Sequence, residues 1–276
     1  MFDVCRVYWI VVWVALIPVS VDGDDALKKE QIDKWSAYYL KQAKSYELRL
    51  TDPGDETLTL VPTPVLRWQN PLRSTTHGEC FVWTRDGRAL AIASIFSYPV
   101  DNNQRRVAHA FNSFALAPLV AEYNQQPFWN APPVSNEEWQ MVPNSPTVAS
   151  SPARRLSQMR SLARQFTAEL GGSDGEEKRM LRLMTAPLYR YSSHDDAEMD
   201  GALFAFVMGT DPEVILLLES RNTDSGRKWF FLAGRHSYTT LVLQHQDREV
   251  WRYTRGERSP RYLSQHGIDL QPAVLE

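Results

Sequence analysis

The rhythm of polar and apolar positions along this chain changes several times, and each change predicts an element. From residue 24 to about residue 50, DDALKKEQIDKWSAYYLKQAKSYELRL places Leu27, Ile32, Trp35, Tyr39 and Tyr46 near one face at helical spacing, with Asp24 and Asp25 suited to the N-terminal end. A packing helix is predicted there. LTLVPTPVLRW then reads as short extended pieces interrupted by Pro62 and Pro64. Residues 78 to 99, GECFVWTRDGRALAIASIFSYP, are two β-rich runs flanking Asp86-Gly87, a dipeptide that readily takes positive φ, and they predict an antiparallel hairpin. VAHAFNSFALAPLVAEY is read as a further strand. Between residues 127 and 152 six prolines break regular structure, while Phe128, Trp129 and Trp139 are interspersed among them. A free linker gains nothing from exposed tryptophan, so the stretch predicts an arm packed on the body, with a sugar-stacking platform as the functional alternative.

Residues 153 to 170, ARRLSQMRSLARQFTAEL, put Leu156, Met159, Ala163, Phe166 and Leu170 on one helical face, with Gly171-Gly172 as the stop and Arg154, Arg155, Arg160 and Arg164 on the solvated side. LRLMTAPLYRY, ALFAFVM, EVILLLESR, KWFFLAGRHSY, TTLVLQHQ and REVWRY follow as a β-meander. ALFAFVM and VILLL are apolar without alternation, which predicts central strands covered on both faces by the two helices. FVWTRDGRALAIASIF and LFAFVMGTDPEVILLL echo each other as hairpins with an Asp in the turn, too weakly to be read as a repeat. The pattern predicts an α+β protein with a largely antiparallel sheet of seven to nine strands, an N-terminal helix and a central amphipathic helix. Its N-terminal half (24–126) and C-terminal half (153–276) are joined by the proline-rich arm (127–152), as one domain or two intimately packed halves.

The first 23 residues differ from the rest. Arg6 precedes an apolar run at residues 7 to 17, then Pro18 and small residues ending in Gly23, the layout of a signal peptide cleaved before Asp24. The run is shorter than the roughly 20 residues of a membrane-spanning helix. Export to the periplasm or the exterior is expected, with an uncleaved N-terminal anchor as the alternative and no membrane span after cleavage. Cys80 is then the one cysteine left, so an internal disulfide cannot form, and its apolar setting ECFVW predicts a buried thiol. A net charge of −3, from 33 acidic and 30 basic residues, argues against a general grip on nucleic acid.

Few stretches carry candidate chemistry. In HDDAEMDGALFAF, Asp196, Glu198, Asp200 and Gly201 fall at positions one, three, five and six of a calcium loop, but position twelve is Val207 where a bidentate Glu is needed, and the segment runs into a strand. A turn is the simpler reading, and the metal candidates are His194, Asp195, Asp196 and Asp200 in an irregular cation site. GGSDG at residues 171 to 175 matches a nucleophile elbow by letter but follows a helix instead of a strand. No phosphate-cradling or dinucleotide motif appears, so no cofactor is expected. Asp211 and Pro212 in GTDPE make a turn; Arg182, Arg190, Arg221 and Arg235 lie near it, either pairing with Glu213, Glu219 and Asp211 or lining a pocket for a small anion. The leading function is a non-catalytic binding or interaction protein, with a cell-envelope protein as a partner class. The alternative is an exported hydrolase whose His109 or His194 works with Asp196 or Asp200 from distant positions.

LRLMTAPLYRY, DGALFAFV and GTDPEVILLLE, with FVWTRDGRALAIASIF and RRLSQMRSLARQF upstream, resemble an uncharacterised family of exported planctomycete proteins. The resemblance implies a bacterial, exported protein. It implies no activity and transfers no site residue.

Overall fold

The computed structural model describes residues 23–52, 54–73, 76–171, 177–192 and 199–276, with side chains from residue 28 onward. The first helix, α1 (Gly23–Lys44), passes through Ser45 straight into β1 (Tyr46–Leu50). The helix therefore ends earlier than its pattern predicts, because YELRL alternates buried and exposed positions as a strand does. Trp35, Tyr39 and Ala43 form the buried face of α1, whereas Ile32 is 58% exposed. Two short pieces follow, β2 (Glu56–Thr57) and β3 (Thr59–Leu60), then β4 (Leu66–Asn70) beyond the prolines. The expected hairpin is β5 (Thr76–Arg85) with β6 (Arg88–Pro99), and Asp86 and Gly87 take φ of 50° and 79° in its turn. The next stretch makes two strands instead of one, β7 (Gln104–Ser113) and β8 (Leu119–Tyr123), and β8 turns back into β9 (Gln126–Ala131).

The arm carries β10 (Gln140–Met141) and packs on the body, with Trp129 and Trp139 both buried. Ser151 caps α2 (Pro152–Ala163), and Pro152 occupies the first helical turn, where its missing N–H costs nothing. Here too the helix ends early: Phe166 and Leu170 belong to β11 (Phe166–Leu170). Arg155, predicted on the solvated side, is 1% exposed. The meander then runs through β12 (Arg179–Leu183), β13 (Tyr189–Ser192), β14 (Asp200–Met208), β15 (Asp211–Thr223), β16 (Gly226–Arg235), β17 (Leu241–His245) and β18 (Arg248–Tyr253), ending in β19 (Tyr262–Pro272). The α+β, mainly antiparallel class holds, and the nineteen strands among the described residues, several of two residues, form sheets of four, nine and six strands where one sheet of seven to nine was expected.

The two halves are the same unit built twice, which corrects the reading of the hairpin echo as too weak for a repeat. In β5–β6 the pairing runs Phe81 to Ala93 and Trp83 to Ala91, slips by a bulge between Trp83 and Thr84, and resumes at Thr84 to Ala89. In β14–β15 it runs Phe204 to Leu216 and Phe206 to Val214, slips between Phe206 and Val207, and resumes at Val207 to Pro212. The β8–β9 hairpin turns on Asn124 and Gln125 and bulges after Ala121; β17–β18 turns on Gln246 and Asp247 and bulges after Leu243, with all four turn residues at positive φ. Isolated bonds repeat as well. Val61 N donates to Val82 O at 2.9 Å as Met184 N does to Ala205 O at 2.8 Å, and Asn124 N reaches Ser45 O as Gln246 N reaches Gln165 O, both at 3.0 Å. Each unit is a helix followed by a curled antiparallel sheet.

Strand alternation sorts the core. Phe81, Trp83, Ile95 and Phe111 join α1 in one cluster, and Phe204, Phe206, Leu216, Leu218 and Phe231 join Met159 and Leu162 of α2 in a second. The opposite faces of the two sheets meet in a third, where Cys80, Val82 and Ile92 pack with Leu203, Ala205, Ile215 and Leu217. ALFAFVM and VILLL are thus covered on both faces as predicted, but by α2 and the other half's sheet, not by the two helices. Each such side chain contributes roughly 1.5–3 kcal/mol by leaving water.

The arms are exchanged. The segment after β9 leaves the first half and adds β10 to the outer edge of β16, pairing Gln140 with Phe231. The segment after β18 leaves the second half and lays β19 along β7, from Tyr262 opposite Asn112 to Pro272 opposite Gln104.

Candidate functional site

The arginines singled out from sequence do not converge. Arg182 Nη2 donates to Gly209 O at 3.0 Å on the surface. Arg190 holds Asp200 through Nε at 2.9 Å and Nη2 at 2.6 Å, and donates to Pro152 O at 2.7 Å. Arg221 lies over the Trp139 ring at 4.4 Å and 3.6 Å from Glu219, and Arg235 is sandwiched between Tyr253 and Tyr262 at 3.8 and 4.1 Å. Of the pairings expected from sequence only Arg221 with Glu219 forms; the cation facing Asp211 and Glu213 is Arg73, from the other half. His109 is a core residue whose Nδ1 lies 2.6 Å from the Tyr46 hydroxyl, and burial holds it down at about 3. His194, Asp195 and Asp196 lie outside the described residues. Asp200 is fully buried and held by two guanidiniums, Arg155 Nε at 3.0 Å and Arg190. Among the described residues the Asp200 charge is answered by these two guanidiniums.

The repeat makes every site comparable with its counterpart. The strand registers put His77 where the second half has Asp200, Arg67 where it has Arg190, and Ser97 where it has Ser220. The helix-to-strand joins likewise set Trp35 against Arg155. In the second half this helix–sheet junction is filled by the buried Arg155, Asp200 and Arg190 cluster. In the first half it is open: a cavity of about 610 Å³ lies between α1, β4 and β5, walled by Trp35, Tyr39 and Trp68. Exposed Ile32 lies at its edge, and Leu72 and Val274 are exposed beside the lining residues Pro71 and Ala273.

The polar groups of this cavity are tied to each other. Tyr39 Oη is 2.9 Å from His77 Nδ1 and 2.7 Å from Ser97 Oγ, and Arg105 Nε donates to the same Ser97 Oγ at 2.9 Å. Arg67 pairs with Glu79 at 2.9 Å. Burial, with help from the Arg105 charge, lowers His77 to about 4, so its ring is neutral; burial also raises Glu79 and lowers Arg105. Among the described residues that line it, the charged groups are Arg67, Arg105 and Glu79.

A second opening lies on the seam between the halves. At one end of the seam Arg88 crosses to Glu219 with bonds of 2.8 and 3.0 Å, and Tyr191 Oη donates to the same carboxylate at 2.6 Å. At the other end the counterparts of Arg88, Glu219 and Tyr191 are Asp211, Phe96 and Trp68, and a cleft of about 290 Å³ opens between them. Asp211 Oδ2 accepts from Asn70 at 3.0 Å and Arg73 at 3.1 Å, and Arg73 Nη1 is 2.8 Å from Glu213 Oε1. Burial and then the Asp211 charge push Glu213 up to about 7. Glu213 stands where the first half has Leu90, and His236 where it has the fully buried Phe114: the bond from His236 N to Glu213 O repeats that from Phe114 N to Leu90 O. Both ring nitrogens of His236 are buried without a hydrogen-bond partner among the described residues, and burial lowers the group to about 3.

Sequence reasoning missed both openings because their walls come from distant segments. The available signal was the match of TPVLRW with APLYRY, which would have aligned the halves and exposed the polar-for-apolar exchanges at residues 213 and 236. Cys80 is buried as predicted, and burial pushes its thiol up to about 12. No family model matches the chain. No curated protein and no solved structure matches it either.

Proposed function

We propose that this chain is a non-catalytic binding protein that holds a compact apolar carboxylate in the cavity beside α1. The observation that carries this reading is the open junction at Trp35 and His77, whose counterpart in the other half is filled by a buried ion cluster. A cavity of this size suits a small ligand. Trp35, Trp68 and Tyr39 offer apolar surface, and the exposed Arg67 guanidinium at the wall favours an anionic head. The imidazole, phenol and carboxylate already have protein partners, so the walls supply fit and charge rather than a poised proton.

Titration calorimetry of the full chain with octanoate and 2-naphthoate, against octanol and octylamine, tests this. The carboxylates should bind, the alcohol more weakly and the amine not at all, and Ser36→Trp, which fills the cavity from α1, should abolish binding. Equal binding of amine and carboxylate, or no binding of any probe, would sink the proposal. The apolar run at residues 7 to 17 supports an exported protein; N-terminal sequencing of the chain recovered outside the cytoplasm should read Asp24, and recovery with Met1 in the cytoplasm would refute export.

A further inference from the structure

We propose that the cleft on the seam is a second ligand site, distinct from the cavity beside α1 although Trp68 lines both, and that it takes a neutral polyhydroxylated ring of monosaccharide size. Its polar groups are not demanded by the fold. The same unit closes the equivalent places in its first copy with Leu90 and Phe114, and closes the equivalent end of the seam with Arg88 and Glu219. An imidazole whose two buried ring nitrogens have no partner among the described residues is costly, and an unsatisfied group of this kind in a cleft calls for a ligand or a water.

The chemistry of the walls selects the class. Trp68 and Phe96 pack together with centroids 5.6 Å apart, and Tyr262 lines the same cleft, giving flat apolar faces for the C–H face of a ring. Tyr238, 45% exposed, stands at the mouth with its hydroxyl 2.7 Å from His266 Nε2, and His266 Nδ1 is 3.2 Å from the Tyr98 hydroxyl. Within reach of these faces are the Asp211 carboxylate, the Thr76, Ser94 and Ser237 hydroxyls and the neutral His236 ring. That set is rich in acceptors with a few adaptable donors, which matches hydroxyl groups. The single Arg73 guanidinium is shared by Asp211 and Glu213, so a strongly anionic ligand finds no uncompensated partner.

The test is titration of the full chain with glucose, galactose, mannose and N-acetylglucosamine, with adenosine as a flat, neutral contrast, followed by calorimetry and tryptophan fluorescence. At least one sugar should bind saturably in the millimolar range or tighter. Tyr238→Ala, at an exposed position, and Asp211→Asn should each weaken it tenfold or more, while Ser36→Trp leaves it unchanged. Urea unfolding of each variant separates loss of binding from loss of fold. No saturable sugar binding, sugar binding that survives both cleft substitutions, or binding of adenosine alone would each overturn the proposal. Loss of sugar binding in Ser36→Trp would also overturn it, by placing the sugar in the other cavity.

Discussion

His236→Phe should make the protein more stable, and by an amount that depends on pH. The counterpart residue, Phe114, shows that a phenyl ring fits this place in the repeated unit, with 0% exposure. The substitution removes two buried nitrogens that have no partner among the described residues, each of which costs on the order of 1–3 kcal/mol, part of it relieved by transient water. A net gain of about 1–3 kcal/mol at pH 7.5 follows, equivalent to a rise in Tm of about 2–4 °C per kcal/mol for a chain of this size. Burial lowers His236 from 6.5 to about 3 in the folded state. Below pH 6.5 the unfolded chain therefore takes a proton that the folded chain refuses, and the native protein loses about 1.4 kcal/mol per pH unit through this group alone. Phenylalanine has no such loss, so the advantage of the variant should widen as pH falls from 6.5 towards 5. His77 and His109 act in the same direction, and Glu213, raised to about 7, acts in the opposite one between about 4.5 and 7. All three remain in the variant and cancel in the difference to first order. Urea unfolding of both proteins at pH 5, 6 and 7.5 measures it. A variant less stable than the parent at pH 7.5, or a gap that does not widen on acidification, would refute the argument from Phe114.

Asp200→Ala should cost about 3–5 kcal/mol, because it takes away the carboxylate that the buried Arg155 guanidinium pairs with; a loss under about 1 kcal/mol in urea unfolding would refute this. Gly201→Ala should destabilise strongly, since a Cβ there would sit 2.4 Å from Tyr191 Cζ, and the same change at exposed Gly87 should cost less despite its φ of 79°, which a comparison of melting temperatures decides. Cys80 should resist thiol reagents in the native state and react in urea, its thiol being buried and pushed up to about 12; native labelling at the unfolded rate would contradict this burial.

The elements whose signals are local were legible: the Asp86-Gly87 hairpin, the two apolar central strands, the packed aromatic arm and, within a residue, the start of α2. Both helix ends were read too long, and for one reason. YELRL and FTAEL follow their helices without a Gly or Pro between, and their apolar residues extend the helical face by chance, so only the pairing of β1 with β8 and of β11 with β17 tells strand from helix. The duplication was nearly invisible because it survives as register, bulge and turn geometry more than as residue identity. The candidate arginines were misassigned because a guanidinium takes its partner from across the fold: Arg73 lies in a short turn of the first half, far in sequence from Asp211 and Glu213.

The exchanged arms have a consequence for how the chain is made. Residues 104 to 113 are synthesised well before residues 262 to 272, which cover their outer edge, and at about 5–20 residues per second the ribosome leaves that edge open for several seconds. The first unit can collapse around α1 as it emerges, but its sheet is completed only by a strand translated after the whole second unit, so the N-terminal half matures after the C-terminal one.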